Sequence, residues 1–417
     1  MRQSKLFTKT RKESPTDEVS KNAELLIRGG FVHKEMAGVY SYLPLGLRVL
    51  KKIENIIREE MDKVGGQEVL MSSFQPKDNW EKTGRWTGMD DLYKVVDSSG
   101  REVALGPTHE EIVVPILKNY ASSHKDFPVC IYQIQNKFRM ELRAKSGMLR
   151  GREFMMKDMY SFHVSKEDFE NFYEKMKGVY KTIFERVGIG HITYLAFASG
   201  GTFSKYSHEF QTITSAGEDT IYVDETSGTA LNKEVFNDEV LGQLNLKKEK
   251  LAEHKAIEVG NIFDLKTKYS APFDLSFTDE KGEKHTVLMG CYGIGLSRLM
   301  GTVVEALADD KGIIWPESIT PFIVHLLALG DDEGVTAEAN KVYEGLEKAG
   351  IEVLFDDRDG LSAGEKFSDA DLLGMPWRAV ISVRSMKEGG IELKKRTEEK
   401  GEIISIDELL KILKPNS

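Results

Sequence analysis

Between residues 45 and 64 the apolar positions fall three or four apart. Leu50, Ile53, Ile57, Met61 and Val64 share one stripe, which predicts an amphipathic helix. Gly65 and Gly66 supply its stop, and a short strand is expected over 67–71. Ser165 opens a second helix, with Asp168 three residues on as a near capping box. Its stripe of Phe169, Phe172, Tyr173, Met176, Val179, Tyr180, Ile183 and Phe184 reads as a core face. Between the two helices, 129–140 and 152–162 read as strands of an antiparallel hairpin around the basic turn KSGMLRG. A strand at 285–289 runs into GCYGIGLSRLMGTVVEAL, whose second half is helical. This order predicts an α+β domain on a mostly antiparallel sheet.

The rhythm changes after WPESITP, where Pro316 and Pro321 break the pattern. FIVHLLALG, IEVLFDD and RAVISV are strands. They alternate with helices marked by Val335, Ala339, Val342 and Leu346, and by 366–373. Such alternation predicts a small α/β domain with parallel strands. A length of 417 residues agrees with two or three domains.

Composition excludes several classes. Two distant cysteines, Cys130 and Cys291, support neither a disulfide framework nor a cysteine-based zinc site. No apolar run approaches the ~20 residues of a membrane span, so no membrane partner is expected. The start, MRQSKLFTKTRKESP, lacks the apolar centre of a secretory signal, and a cytoplasmic location is expected. The net charge of −10 argues against a non-specific nucleic-acid coat. It is unevenly spread: residues 218–258 carry 10 acids and 5 bases, and residues 322–417 carry 20 acids and 13 bases. The remainder is slightly basic.

Candidate chemistry lies in that remainder. In KFRMELRAKSGMLRGREF, Arg139 and Glu141 are two apart on one strand and face one side. The turn brings Arg150 and Arg152 back towards them. The Gly293-Ile294-Gly295 run is no dinucleotide fingerprint, because Arg298 stands where the third glycine belongs. Arg298 instead projects from the first turns of the following helix, where an arginine can clamp phosphate. Thr108-His-Glu-Glu111 before IVVPIL reads as a capping box. Met156, Asp158 and Tyr160 alternate along one strand face.

Taken in order, these segments resemble the class II aminoacyl-tRNA synthetases, and within them the bacterial-type prolyl-tRNA synthetase family. KFRMELR…MLRGREF is similar to that family's motif 2 and GCYGIGLSR to its motif 3. GVYSYLPLGLRVLKKIENIIREEM leads into a likeness of motif 1. LGPTHEE, NWEKTGRW, MKDMYSFH and SHEFQ are further family stretches. The resemblance implies a class II catalytic domain over 1–320 and an anticodon-binding domain over 321–417. It implies that ATP activates L-proline, that Mg²⁺ accompanies the ATP, and that the prolyl group passes to tRNA(Pro).

By the same resemblance, Arg139 bridges the α-phosphate and the proline carboxylate. Glu141 sits near the adenine amino group, Phe154 stacks on adenine, and Arg150 engages phosphate. Gly293 and Gly295 line the nucleotide site, and Arg298 holds the γ-phosphate. Thr108 and Glu110 bind the prolyl amine, His208 closes the proline pocket, and Asp158 belongs to that pocket. Cys291 lies beside it, as a small buried residue. Glu209 is a candidate Mg²⁺ ligand. Asp356 and Arg358, with Glu392, Lys394 and Arg396 opposite them, lie near the anticodon.

Two departures from the family pattern stand out. Residues 222–255 replace the large editing domain with a short acidic linker, at most a hairpin and a helix. This implies no hydrolysis of alanyl-tRNA by the chain itself and a separate trans-editing deacylase as partner. Ser72 occupies the motif 1 proline position, although the helix that precedes it is intact, so a homodimer is expected. The competing readings are a relative charging threonine, serine or glycine, and a non-catalytic synthetase-like tRNA-binding or regulatory module. The Thr108/Glu110 pair and the lack of zinc-ligand cysteines oppose the first. The presence of Arg139, Arg150 and Arg298 opposes the second.

Overall fold

The computed structural model describes residues 1–16, 18–142, 144, 146–201 and 206–414. The chain forms two compact units. One comprises residues 36–39 and 53–302. The other comprises 1–35, 40–52 and 303–417.

The first unit is built on a nine-stranded sheet. Its strands are β1 (Gln67–Glu68), β2 (Val129–Phe138), β3 (Glu153–His163), β4 (Thr193–Ser199), β5 (Tyr206–Ile213), β6 (Asp219–Asp224), β7 (Thr229–Asn232), β8 (Leu251–Lys266) and β9 (Leu288–Gly295). The order is β5-β4-β7-β6-β8-β9-β3-β2-β1, with β5 also pairing β8. All pairs are antiparallel except β1 with β2 and β7 with β4. Four helices are used below: α1 (Pro44–Lys63), α2 (Glu110–Lys118), α3 (Lys166–Val187) and α4 (Leu296–Leu307).

Helix α1 ends one residue before Val64, and Gly65 then takes φ +86°. Only glycine adopts that conformation without strain. The strand expected over 67–71 shrinks to Gln67–Glu68. Helix α3 starts where expected: the Ser165 hydroxyl accepts the Asp168 N–H at 3.2 Å. Its Phe169, Met176, Tyr180, Ile183 and Phe184 are buried. The sheet approaches it closely at Gly260, where a Cβ would lie 3.0 Å from Tyr180.

Two expectations change. The strand placed at 285–289 is two strands, Lys284–Thr286 and β9. The glycine run GCYGIG is not a turn but the body of β9, paired on both sides. Residues 222–255 form the hairpin and helix expected of the short linker. The β6–β7 hairpin joins the sheet, and a short helix, Asp238–Gln243, packs an apolar cluster of Leu231, Val235, Val240 and Leu241.

The C-terminal part of the second unit is a five-stranded sheet. Its strands are β10 (Val324–Leu329), β11 (Val353–Asp356), β12 (Trp377–Ser382), β13 (Ile391–Lys395) and β14 (Glu402–Ile404), in the order β11-β10-β12-β13-β14. The first three are parallel, as expected. The pairs β12–β13 and β13–β14 are antiparallel, which alternation with helices did not reveal. The apolar faces of β10–β13 pack on helix Glu333–Lys348 through Val335, Ala339, Val342 and Leu346.

One buried charge tests this packing. Lys157 of β3 has no exposure and donates to the Tyr180 hydroxyl at 2.8 Å and the Tyr292 carbonyl at 3.0 Å. Burial lowers it from 10.5 to about 7. An unfolded lysine keeps its ordinary value. Above about 7 the unfolded chain therefore holds a proton that the folded chain has shed, and stability rises with pH in that window. Paired urea series from about pH 7 to about pH 10 should show wild type gaining stability over Lys157→Met. Parallel curves would refute the assignment.

Candidate active site

The register places the site on one face of the sheet. Gln133 of β2 lies opposite Asp158 of β3, which lies opposite Gly293 of β9. Gly293 faces Asn261 of β8, and Asn261 faces Glu209 of β5. The neighbouring row is Ile131, Tyr160, Cys291, Phe263 and Ser207. Because side chains alternate across a strand, these rows share a face. The opposite face belongs to α3, through Lys157, Tyr292 and Ile262.

His208 lies on the α3 side. Its Nδ1 is 2.9 Å from the Tyr173 hydroxyl of α3, its ring abuts Phe197, and burial lowers it to about 4. It therefore cannot close the proline pocket as expected. The strand period of two gives that side of the sheet to Ser207 and Glu209 instead.

Thr108 and Glu110 come together at one end of the row. The Thr108 hydroxyl donates to Glu110 Oε2 at 2.6 Å, and both are buried. The expected capping box is absent: His109 is the N-cap residue of α2 and makes no side-chain cap. Glu111 is held instead by Arg85 at 3.0 Å and by the Thr83 hydroxyl at 2.8 Å. Burial pushes the Glu111 carboxyl up, and Arg85 opposes that shift. Arg85 reaches Glu110 only at 3.4 Å, so Glu110 is the less compensated acid. The Cys291 thiol donates to its other oxygen at 3.5 Å and is pushed well up by burial and that charge.

Asp158 is engaged mainly through one oxygen, while its Oδ1 makes an ion pair and no hydrogen bond. Its carboxylate takes Lys137 Nζ at 2.7 Å, Gln133 Nε2 at 3.1 Å and the Tyr160 hydroxyl at 2.8 Å. It is 2% exposed and forms part of the pocket floor. Burial opposes its charge, yet Lys137 holds the carboxyl below the usual range.

The arginines run from beside Thr108 to the first turn of α4. Arg139 lies over the Phe154 ring at 5.2 Å and donates to the Pro107 carbonyl at 3.3 Å. Its Nε is buried and has no partner among the described residues. Burial lowers Arg139, with Asp91, Glu258 and Glu110 opposing and Arg298 adding to the shift. Glu141 is gripped by Arg150 Nε at 2.7 Å, and Arg150 also donates to Glu218 at 2.9 Å. Arg298, in the first turn of α4, donates to the Leu149 carbonyl at 2.8 Å and to Glu258 Oε2 at 3.2 Å. A Cβ at Gly293 would meet nothing within 4 Å, so β9 leaves open space there. At Gly295 it would meet only Arg298.

Glu209 sits in an acidic corner. It accepts from Gln211, Asn232 and Asn261 at 2.9, 3.2 and 3.3 Å. Burial first, then Glu258, raises it to about 8. A carboxyl so placed is suited to a cation. Arg85, Lys137, His109, Glu258 and Asn261 were missed from the chain. Only the register and burial bring them to the site, although Lys137 opens the basic run and Arg85 lies in NWEKTGRW.

The five residues expected at the anticodon all lie in the second unit. Asp356 has no exposure and is clamped bidentately by Arg358, which also reaches Asp369 at 2.9 Å. Arg396 is 7% exposed and bidentate on Asp309. Asp356 and Arg396 are anchors, buried by their own ion pairs. Arg358, Glu392 and Lys394 remain half-buried and accessible.

A mostly antiparallel sheet with basic residues gathered over one face is followed by a separate α/β sheet, and the family matches identify this arrangement as a class II aminoacyl-tRNA synthetase. Residues 93–307 match the tRNA synthetase class II core domain (G, H, P, S and T), and residues 323–416 match the anticodon binding domain. The chain is 40% identical to the proline–tRNA ligase of Wolbachia sp. subsp. Drosophila simulans (strain wRi), over 98% of this chain and 99% of that one. It is 38% identical to the proline–tRNA ligase of Maricaulis maris, covering 95% and 94%. The chain belongs to the proline–tRNA ligase family. Its fold matches the prolyl-tRNA synthetase of Cryptosporidium parvum complexed with halofuginone and AMPPNP, with TM-score 0.77, 18% identity and coverage of 94% and 77%. It also matches the Giardia lamblia enzyme in complex with prolyl-adenylate, with TM-score 0.77, 20% identity and coverage of 93% and 74%.

Arg85→Leu leaves two buried carboxylates uncompensated. It should cost about 3–5 kcal/mol of unfolding free energy in urea titration. A loss below about 1 kcal/mol would mean that the pair is neutral in the native state.

Proposed function

We infer that this chain is a proline–tRNA ligase: it activates L-proline with ATP to prolyl-adenylate and passes the prolyl group to the 3′ end of tRNA(Pro). The observation that carries this reading is one sheet face that presents two complementary partners. Glu110, only partly compensated, stands beside the Thr108 hydroxyl, and Arg139 offers an unpartnered buried Nε. Glu110 and Arg139 are near enough to act on each other electrostatically. The secondary ammonium of proline has two N–H donors, which a carboxylate and a hydroxyl satisfy. Its carboxylate then faces Arg139.

In the reaction the proline carboxylate oxygen attacks the α-phosphorus and the bond to pyrophosphate breaks. Negative charge builds on the phosphoryl oxygens, so positioning and fixed positive charge supply the catalysis. Arg139 bridges the two reacting groups. Arg150 and Arg298 take the outer phosphates after exchanging their present carboxylate and carbonyl partners. Phe154 stacks on adenine, with Glu141 at its amino group, and the bare faces of Gly293 and Gly295 give the nucleotide room. Glu209, beside Glu258, fits Mg²⁺, which supplies further positive charge to the phosphates when bound.

In this reading residues 1–320 are the catalytic domain and 321–417 bind the anticodon, although 1–35, 40–52 and 303–320 fall in the same compact unit as the C-terminal sheet. Single-stranded bases are read by stacking and paired polar contacts. Arg358, Glu392 and Lys394 have the exposure for that, while Asp356 and Arg396 hold the framework. Dimerisation through the motif 1 segment is supported by the short edge strand β1 and the exposed Val69, Leu70 and Phe74 beside it. The enzyme works in the cytoplasm. No helix among the described residues is long and apolar enough to cross a membrane.

Proline-dependent ATP–pyrophosphate exchange is the test. Exchange should be stimulated by proline above threonine, serine, glycine and alanine. Arg139→Ala should lower kcat/KM by about 10²–10³-fold. Better stimulation by another amino acid, or none, would overturn the reading. The hairpin and short helix at 219–243 offer no second catalytic domain, so alanyl-tRNA(Pro) is left to a separate deacylase. Incubated alone, the purified chain should leave alanyl-tRNA(Pro) intact on the timescale on which it charges proline.

A further inference from the structure

Lys137 is buried completely beneath the proposed proline site, and the reaction as described makes no use of it. Its ammonium joins two groups on different elements: Asp158 Oδ1 of β3 at 2.7 Å and His109 Nδ1, at the start of α2, at 2.9 Å. The other Asp158 oxygen accepts the Tyr160 hydroxyl at 2.8 Å. That hydroxyl accepts the His109 backbone N–H at 2.9 Å and lies 3.3 Å from Thr108 Oγ1. The links form a closed ring, leaving His109 by its main chain and returning to its imidazole. A final bond ties the ring to the motif 1 segment: His109 Nε2 lies 3.1 Å from the Ser72 carbonyl.

The donors in this ring leave one consistent assignment. A lysine ammonium has only donors and a carbonyl has only acceptors. His109 Nδ1 must therefore be the bare nitrogen and Nε2 the protonated one. Resting on the proline-ligase reading, we propose that Lys137 is a positioning residue for the amino-acid site: it holds His109 as the neutral Nε2–H tautomer and thereby fixes the Thr108–Glu110 segment that receives the substrate's ammonium. An arginine could not substitute, because its planar fork cannot place one donor each on a carboxylate and a ring nitrogen in this closed space.

The charged and titratable groups around the imidazole are Lys137 from β2, Arg139 just after it, and Asp158 and Tyr160 from β3. Glu110 and Glu111 belong to α2, Arg85 to helix Arg85–Gly88 and Cys291 to β9. Of these, Lys137 and Asp158 act on it most strongly. Burial first and then Lys137 lower His109 to about 4, so in wild type the ring stays neutral at working pH. Without Lys137 the neighbouring Asp158, 3.8 Å from Nδ1, favours the imidazolium. A protonated Nδ1 then donates towards Asp158, where the lysine did.

The test is exchange kinetics on the full chain between about pH 6 and about pH 8.5. Lys137→Met should raise the KM for proline by about tenfold, with kcat and the KM for ATP within about twofold of wild type. Lys137→Arg should not rescue it. The variant's proline KM should fall back towards wild type as the pH is lowered, and adding His109→Gln should abolish that recovery. Tyr160→Phe, which removes one hydroxyl from the ring, should reproduce the KM effect without the pH dependence. It decides the matter if Lys137→Met does not fold. An unchanged proline KM in both variants, or a Lys137→Met pH profile parallel to wild type, overturns the proposal while leaving the ligase reading intact. Absence of proline-dependent exchange in wild type removes both.

Discussion

Charged groups inside this protein must be paired before anything else can be built. Lys137 and Asp158 are buried in the sheet beneath the substrate face, and Arg85 is buried against Glu110 and Glu111. A buried charge without a partner costs several kcal/mol. The acids and bases from residues 85, 110, 111, 137 and 158 can therefore be buried only if their elements dock in one arrangement. Helix α2, strands β2 and β3 and the short helix at 85–88 are held in register by that requirement as much as by apolar packing.

The two faces of the sheet then divide the work. The face under α3 is largely apolar and aromatic, with Tyr180, Phe184 and Phe210 packed together and Tyr292 against Phe172 and Tyr173. The other face carries the row from Gln133 through Asp158, Gly293 and Asn261 to Glu209. Strand β9 serves both. Gly293 leaves its substrate side open, while Tyr292 and Ile294 fill the core. A side chain at Gly293 would occupy the space above the row, so glycine here provides a surface rather than a turn.

Much of this was legible along the chain. The helix at 44–63 came within a residue of its expected limits and that at 166–187 began where expected, because a 3–4 spacing of apolar residues has one stable outcome in water. The β2–β3 connection pairs Arg139 with Phe154 and Glu141 with Arg150, but β2 ends at Phe138, so Arg139 and Glu141 do not share a strand as expected. The errors have a common form. His208 was assigned from its neighbours in SHEF, but a strand turns adjacent residues to opposite faces, and only the register says which face is which. Asp356 and Arg396 are expected near the anticodon, but sequence gives no burial, and each is taken up by its own ion pair. The antiparallel β13 and β14 were missed because strand direction depends on connections that periodicity does not encode.

What the sequence determined by itself was the kind of protein: the element types, the order of the motifs and the residue chemistry suited to a carboxylate, an amine and phosphates. Those are local properties, carried by spacing and side-chain type. What only the tertiary structure decided was which charges are spent on each other and which are left for a ligand. Lys137, His109 and Asp158 are 21 to 49 positions apart, and nothing in their neighbourhoods marks them as one unit. They become one because the sheet brings them within hydrogen-bond reach in a buried place, where each must find its partner among the others.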